Sequence, residues 1–161
     1  PVPIPAAQFK ALFKEPSVLQ KLGAEIQSNS EESGYTARNA IDENPQTLWH
    51  TRWTPTPEPH PHFLQVDLKE PQTIQGLSYL PRQDQSNGRI ARYEVRISAD
   101  GETWSEPIAS GEWANNAEWK TVQLAEPVQA RWIRLVALTE VNGQPFASAA
   151  EIEILTPAPK E

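Results

Sequence analysis

The chain has 161 residues, a formal net charge of -7, and 38% hydrophobic and 22% charged residues. This length suits one domain with a hydrophobic core, and the negative charge disfavours nucleic acid and anionic membranes, which need a basic surface. The chain has no cysteine, which excludes disulfides and thiolate metal sites.

Prolines cluster at both ends of the chain and in one internal loop. Because proline cannot donate a backbone hydrogen bond and resists packing into sheets, terminal clusters are typical of linkers. We assign residues 1–20 to a linker with a short helix in the segment AAQFKALFK, residues 21–156 to one domain and residues 157–161 to a tail. The chain starts with Pro1 and carries no signal peptide, which favours a piece cut from a longer protein.

From Leu22 onward, short runs of alternating apolar and polar residues predict β-strands. Gly, Pro, Asn and Asp separate these runs, and no helical pattern of any length competes with them. The chain is therefore predicted to be all-β and to form a β-sandwich. The apolar positions of the runs are Leu64, Val66, Leu68, Ala91, Tyr93, Val95, Ile97, Val122, Leu124, Ile133, Leu135, Ala137, Ala150, Ile152 and Ile154.

Three loops between the predicted strands are polar or aromatic: WHTRWTPTPEPHPHF, PRQDQSNGR and TEVNGQPFAS. Loops at one end of a sandwich are the usual place for a binding site. Trp53 and Phe146 lie in two of these loops, where an exposed ring could cover the apolar face of a sugar. Four other tryptophans, at positions 49, 104, 119 and 132, are predicted to pack in the core or on the sheets.

The segment NAIDENPQTLWHT brings Asp42, Asn44 and Thr47 into one turn. Carboxylate, carbonyl and hydroxyl oxygens that converge in a turn suit a hard cation such as Ca²⁺. Taken alone, however, these residues favour a turn that caps its own backbone through side-chain hydrogen bonds. The spacing is not that of an EF-hand loop.

The residues give little support to an enzyme. The adjacent carboxylates of Glu31 and Glu32 would point to opposite faces of an extended segment, whereas glycosidases need two carboxyl groups facing each other. Neither a nucleophile elbow nor a phosphate-binding loop occurs. His60 and His62 resemble a zinc-binding pair, but no third ligand is evident.

Four segments, in order along the chain, resemble discoidin domains: NAIDENPQTLWHT, LSYLPRQDQSNGRIARYEV, SADGETW and RWIRLVALTEVNGQPFASAAEIEIL. From about Gln27 to Leu155 the chain is similar to this family of coagulation factor 5/8 type C domains, and specifically to family 32 carbohydrate-binding modules. The resemblance implies a discoidin-like β-sandwich of the jelly-roll, galactose-binding-domain-like type. It also implies a non-catalytic module that binds glycans.

The resemblance further implies one structural Ca²⁺ between the early turn and the last strand. Asp42 and Glu151 would supply side-chain oxygens and the other ligands main-chain carbonyls, with Thr47 adding a hydroxyl. Members of the family usually have glycine where this chain has Glu43, so a side chain strains the turn there. The expected ligands are Asn39, Asp42, Asn44, Thr47, Ala150 and Glu151.

Galactose-binding members read the hydroxyls of the sugar with a histidine, an arginine and an asparagine, and they add aromatic platforms. Some relatives also use an acidic contact. The matching residues imply a preference for galactose-type sugars such as galactose and N-acetylgalactosamine. The expected ligand-binding residues are His50, Trp53, Arg82, Asn87, Phe146 and the acidic Glu32.

Two further functions remain open on the sequence. Other discoidin domains bind lipid or protein surfaces through apolar spikes above basic residues, although this chain is acidic, and a domain can also be kept for structure alone. We expect glycans as partners and a covalently linked catalytic domain, in a glycoside hydrolase or related bacterial enzyme that is secreted, periplasmic or on the cell surface. We expect a monomer that neither binds nucleic acid nor spans a membrane.

Overall fold

The computed structural model describes residues 17–157, whose regular structure is mostly β-strand. The prediction of an all-β fold is confirmed. The helix predicted in AAQFKALFK lies outside the described residues, as do residues 158–161. The elements are helix α1 (Val18–Leu22), β1 (Glu25–Ser28), a 3-10 helix (Ala37–Ala40), β2 (Trp49–His50), β3 (His62–Leu80), β4 (Arg92–Ser98), β5 (Ala109–Glu112), β6 (Lys120–Ala137), β7 (Ser148–Ala149) and β8 (Glu151–Leu155).

The two long strands, β3 and β6, pair antiparallel along most of their length. The other edge of β3 pairs first with β1 and then with β8, while β6 continues through β4 to β5. The ladder between β3 and β6 shifts register between Asp67 and Gln72 and between Ile74 and Gly76. Such irregularities bend strands, and the part of β3 before them pairs with β1 while the part after them pairs with β8.

The alternating apolar residues form the core, because side chains of period two in a strand share one face. Leu64, Val66 and Leu68 are at most 1% exposed. Every other apolar position of the predicted runs is buried as well, except Ile97, which is partly buried against the core. Among the tryptophans predicted to pack, Trp49 is fully buried and the other three are partly buried.

Helix α1 belongs to the folded domain. Leu19 lies in the core, and the backbone N–H groups of Val18 and Leu19 donate to the Glu153 carboxylate on β8 at 3.2 and 3.3 Å. The predicted linker at residues 1–20 therefore extends too far. Residues 17–20 were assigned to it because one helical turn leaves no periodic pattern in the sequence.

We predict that Gly76→Ala destabilises the domain by about 1–3 kcal/mol, because overpacking forces the backbone to move. A Cβ at Gly76 would lie 2.2 Å from the carbonyl oxygen of Val122, a backbone atom that cannot swing aside. Urea unfolding measures the effect. The control is Gln123→Ala at the paired position, where the side chain is exposed. Equal unfolding midpoints for the two variants would contradict the prediction.

Candidate functional site

A cavity of about 410 Å³ opens where three loops, the turn that carries Tyr35 and strand β2 meet. Five of the six predicted ligand-binding residues line it, and the sixth, Glu32, does not. Two further lining residues, Tyr35 and Gln85, were not anticipated from the sequence. The lining residues are Tyr35, His50, Trp53, Arg82, Gln85, Asn87 and Phe146.

His50 lies at the centre of the cavity and presents a hydrogen-bond acceptor. Its ring is only 2% exposed, and its Nδ1 lies 2.7 Å from the carbonyl oxygen of Thr51. A carbonyl can only accept, so Nδ1 carries the proton and Nε2 is left as the acceptor. Burial lowers the pKa of His50, which keeps the ring neutral at pH 7. The side-chain amide of Asn87 approaches Nε2 at 3.4 Å.

Arg82 is held rigidly beside His50. Its Nε and Nη2 donate to both carboxylate oxygens of Asp84 at 2.8 and 3.0 Å, and its Nη1 donates to the Asn87 carbonyl at 3.1 Å. These bonds use three of the five guanidinium N–H groups. Within residues 17–157, one N–H on each terminal nitrogen has no partner and is available to a ligand. The ion pair lowers the pKa of Asp84, which therefore stays ionised.

Glu140 joins the two loops that carry Arg82 and Phe146. The carboxylate is 4% exposed and accepts from the backbone N–H groups of Gly88, Asn142 and Gln144 at 2.7 to 3.0 Å. A carboxylate with several such donors fixes the backbone around it. Sequence reasoning missed Glu140 because nothing in TEVNGQPFAS shows which acid faces inward.

Gly88 packs directly beneath His50 with a φ of +87°. A Cβ there would lie 2.6 Å from the Ser148 hydroxyl and 3.3 Å from His50 Nε2. Both the left-handed backbone and the lack of space therefore require glycine. The Asn-Gly pair in the loop QSNGR thus serves the packing beneath the cavity.

Aromatic rings surround His50. Trp53 contacts it edge-on with ring centroids 4.8 Å apart, and Phe146 is tilted against it at 5.2 Å. Tyr35 in turn packs on Trp53 at 5.2 Å. At 38% and 39% exposure, Tyr35 and Trp53 are the only exposed large hydrophobic residues in the described part of the chain. Exposed rings of this kind mark a contact surface.

Glu32 does not line the cavity but holds the backbone beside it, and the ligand contact expected of it stays a prediction. Its carboxylate accepts from the backbone N–H groups of Trp53 and Thr54 at 2.8 and 2.9 Å. The hydrogen bond from Trp53 lowers the pKa of Glu32. Glu32 thus fixes the backbone that carries the exposed Trp53 ring.

His60 and His62 support the opposite side of the cavity. Their Nε2 atoms lie 3.0 and 2.8 Å from the carbonyl oxygens of Phe146 and Pro145, so both rings donate to the loop that carries the Phe146 side chain. No cluster of three or more His, Asp or Glu suited to a metal occurs in residues 17–157. The histidines of PHPHF therefore act as donors to the loop that carries Phe146.

The acidic turn and the last strand meet as the metal prediction requires. The backbone N–H of Asn44 lies 3.0 Å from both Asp42 Oδ1 and Glu151 Oε1. The Thr47 hydroxyl contacts the Asp42 carboxylate and lies 3.0 Å from the Asn44 carbonyl oxygen. Ala150 immediately precedes Glu151 on the chain. Two carboxylates, a hydroxyl and a carbonyl gathered around one turn fit a hard cation such as Ca²⁺.

The two remaining residues of the turn are also accounted for. Asn39 donates its side-chain amide to the Leu48 carbonyl at 3.1 Å. Its main-chain carbonyl oxygen remains for the predicted role as a calcium ligand. Glu43 adopts a φ of 60°, the conformation in which glycine is usual. Its carboxylate accepts from the backbone N–H of Ser17 at 2.6 Å, and this bond compensates for the strain.

The F5/8 type C domain family matches residues 25–152 of the chain. The chain belongs to this family. As an F5/8 type C domain it is similar to galactose oxidase of Gibberella zeae, with 44% identity over 131 residues that cover 80% of this chain and 19% of that enzyme. The domain thus spans about a fifth of the length of this relative.

Two solved structures of family 32 modules from Clostridium perfringens are similar to this F5/8 type C domain. One, in complex with GalNAc-β-1,3-galactose, has a TM-score of 0.79 and 32% identity and covers 87% of this chain and 99% of the other. The second, from NanJ in complex with galactose, has a TM-score of 0.76 and 31% identity and covers 86% and 97%. The domain is therefore a carbohydrate-binding module of the family 32 type. Residues 17–157 contain no helix long and apolar enough to cross a membrane.

We predict that His50 is neutral at pH 7, with its proton on Nδ1 and a titration midpoint below 6.5. The pKa of this histidine is higher in the unfolded chain than in the folded one. As the pH falls below 6.5, protonation of the unfolded chain therefore lowers the free energy of unfolding. Long-range nitrogen NMR identifies the protonated ring atom, and His50→Gln assigns the signals. A proton on Nε2, or a midpoint at or above 6.5, would contradict the prediction.

Proposed function

We propose that this module is non-catalytic, recognises terminal galactose-type residues, and directs a covalently linked catalytic domain to its substrate. The observation that carries the proposal is the group of polar atoms in one cavity: His50 Nε2, two N–H groups of Arg82 and the amide of Asn87. The two similar modules that were solved with galactose and with GalNAc-β-1,3-galactose support it.

Arg82 would bind two adjacent hydroxyls of one sugar ring, because its planar fork offers one N–H from each terminal nitrogen. Asp84 keeps this fork in place before the ligand arrives. The axial 4-hydroxyl of galactose would donate to His50 Nε2 in place of the Asn87 amide, whose contact with this atom is long at 3.4 Å. In glucose that hydroxyl is equatorial, which would leave the buried ring without its partner, and such a loss produces selectivity.

The apolar side of the sugar would be covered by Trp53 or Phe146, which flank His50 on either side. Aromatic rings suit the C–H face of a sugar because they gain contact area without needing a polar partner. None of the seven lining residues is Asp or Glu. Hydrolysis of a glycoside requires two opposed carboxyl groups, so the lining supports binding without catalysis.

The relatives also support the proposal of a linked catalytic domain and of its location. The chain spans only 19% of galactose oxidase, so we propose that it likewise serves as one domain of a larger enzyme. Binding of glycans by such a domain suits an enzyme that is secreted, periplasmic or on the bacterial surface. We propose that the module acts as a monomer.

We also propose that one structural Ca²⁺ joins the acidic turn to β8. Asp42 and Glu151 would supply carboxylate oxygens and Thr47 its hydroxyl, while carbonyl oxygens of Asn39, Asn44 and Ala150 complete the set. The ion would neutralise two carboxylates that lie within hydrogen-bonding distance of the same amide. It would thereby tie residues that are far apart in the chain.

We predict that galactose binds with a dissociation constant on the order of 1 mM, about -4 kcal/mol, and glucose far more weakly. Arg82→Lys should weaken the binding of galactose roughly 10- to 140-fold, because a hydrogen bond to a charged group contributes about 1.5–3 kcal/mol. Calorimetry and NMR titration measure both. Arg92→Ala, an exposed arginine on β4, is the matched control and should bind as the wild type does.

The same titrations can reject the proposal. If galactose bound equally well to the wild type and to Arg82→Lys, the fork of Arg82 would not be the recognition element. If galactose shifted NMR signals away from His50 and Asn87 instead, the cavity would be the wrong site. A domain kept for structure alone would give no shifts with any sugar.

We predict that EDTA lowers the melting temperature of the wild type by about 5–10 °C. An ion at a hundred times its dissociation constant stabilises the folded state by about 2.7 kcal/mol, and each kcal/mol corresponds to about 2–4 °C in a chain of this size. Asp42→Asn should melt at the lower temperature with or without EDTA. The exposed Glu126→Gln is the control and should respond as the wild type does. An EDTA-insensitive wild type without calcium in elemental analysis would exclude the metal.

A further inference from the structure

Tyr35 is a part of the cavity that recognition of one sugar leaves unused. The polar atoms lie together at the other end, since Arg82 Nη1 donates to the Asn87 carbonyl at 3.1 Å and the Asn87 amide lies 3.4 Å from His50 Nε2. This group matches the hydroxyls of a single ring. Tyr35 is at one end of a row of contacting rings, which runs from Phe146 through His50 and Trp53 to Tyr35.

Tyr35 and Trp53 cannot both stack on one sugar ring. Their planes are inclined by 58° with centroids 5.2 Å apart, so they offer two differently directed faces. A single pyranose ring lies flat against one aromatic plane, so it cannot stack on a second plane inclined to the first. Two successive sugars, whose rings are inclined to each other across the glycosidic bond, can use both.

One rigid turn carries Tyr35 and also holds the backbone of Trp53. Residues 32–35 form a tight turn in which the Tyr35 N–H donates to the Glu32 carbonyl at 2.9 Å, and Gly34 has a φ of +85°. The turn pairs with β2, because the Glu32 N–H donates to the His50 carbonyl at 2.9 Å and the His50 N–H to the Tyr35 carbonyl at 3.1 Å. The Glu32 carboxylate also holds the backbone of Trp53. This arrangement fixes two exposed rings before binding, which lowers the entropic cost of using them.

We infer that the site takes at least a disaccharide, with a terminal galactose-type residue over His50, Arg82 and Asn87 and the next sugar against Tyr35. The inference rests on the proposed function and adds a second subsite to it. Within residues 17–157 the hydroxyl of Tyr35 has no hydrogen-bond partner, so the ring face and the hydroxyl are both open to a ligand. Tyr35 therefore sets the preference for chain length, while His50 and Arg82 set the identity of the terminal sugar.

The test compares methyl β-galactoside with three galactose-terminated disaccharides of different linkage: lactose, galactosyl-β-1,3-N-acetylglucosamine and melibiose. At least one disaccharide should bind roughly two- to twelvefold more tightly than the methyl galactoside, as expected for one aromatic contact. Tyr35→Ala should remove this gain, so that the disaccharide binds it no more tightly than methyl galactoside does. Tyr35→Phe should retain the gain, because it keeps the ring.

A wild-type experiment separates the contact from an indirect effect on Trp53. The ring signals of Tyr35 should shift with the tighter disaccharide and not with methyl galactoside. Tyr35→Leu, which keeps an apolar contact to Trp53 without a flat ring, should lose the gain as Tyr35→Ala does. Equal losses for monosaccharide and disaccharide, or no gain with any disaccharide, would overturn the second subsite alone. Failure of methyl galactoside to bind the wild type would overturn the proposed function and this inference together.

Discussion

The antiparallel pairing of β3 with β6 determines where the ends of the other strands lie. His62 at the start of β3 pairs with Ala137 at the end of β6, and Ala137 also pairs with Tyr93 near the start of β4. The loop before β3, the loop before β4 and the loop after β6 therefore reach the same end of the sheet. A shift of one residue in this ladder would turn the apolar side chains of a strand to its other face. The register that builds the core thus also gathers the three loops of the cavity.

Buried or partly buried side chains then fix each loop through its backbone. Glu140 accepts from both the loop before β4 and its own, while Glu32 holds the segment of Trp53. The histidines at positions 60 and 62 hold the carbonyls next to Phe146. Loops without regular structure must satisfy their polar groups in some other way, and here side chains satisfy them. A cavity built like this changes little on binding, so a weak ligand does not have to order it.

The strands and much of the site could be predicted from the sequence, for different reasons. Runs such as Leu64 to Leu68 can be predicted as strands because burial on one face of a strand imposes a period of two. The ligand-binding residues came from resemblance, since no spacing shows that His50 and Arg82, which are 32 positions apart, lie side by side. Glu32 came from the same resemblance, and its hydrogen bonds to the backbone of Trp53 and Thr54 could not be read from the sequence.

The residues that escaped prediction act through partners that only the fold supplies. Asp84 orients Arg82. Tyr35 lines the cavity from a turn that lies earlier in the chain than the other lining residues. Helix α1 is too short to leave a periodic pattern in the sequence. Its place in the domain is therefore recognised only from its contacts with β8. Such side chains are identified by geometry alone, because their residue types are ordinary on a protein surface.

The contact between α1 and β8 also has a topological consequence. The described part of the chain begins at Ser17 and ends just after β8, where Glu153 accepts from the first turn of the helix. The two ends of the described part are thus neighbours in space. A domain with adjacent ends can be spliced into a surface loop of another protein, or repeated in series, without pulling the flanking segments apart. Evolution can therefore move such a unit between unrelated hosts as a self-contained cassette.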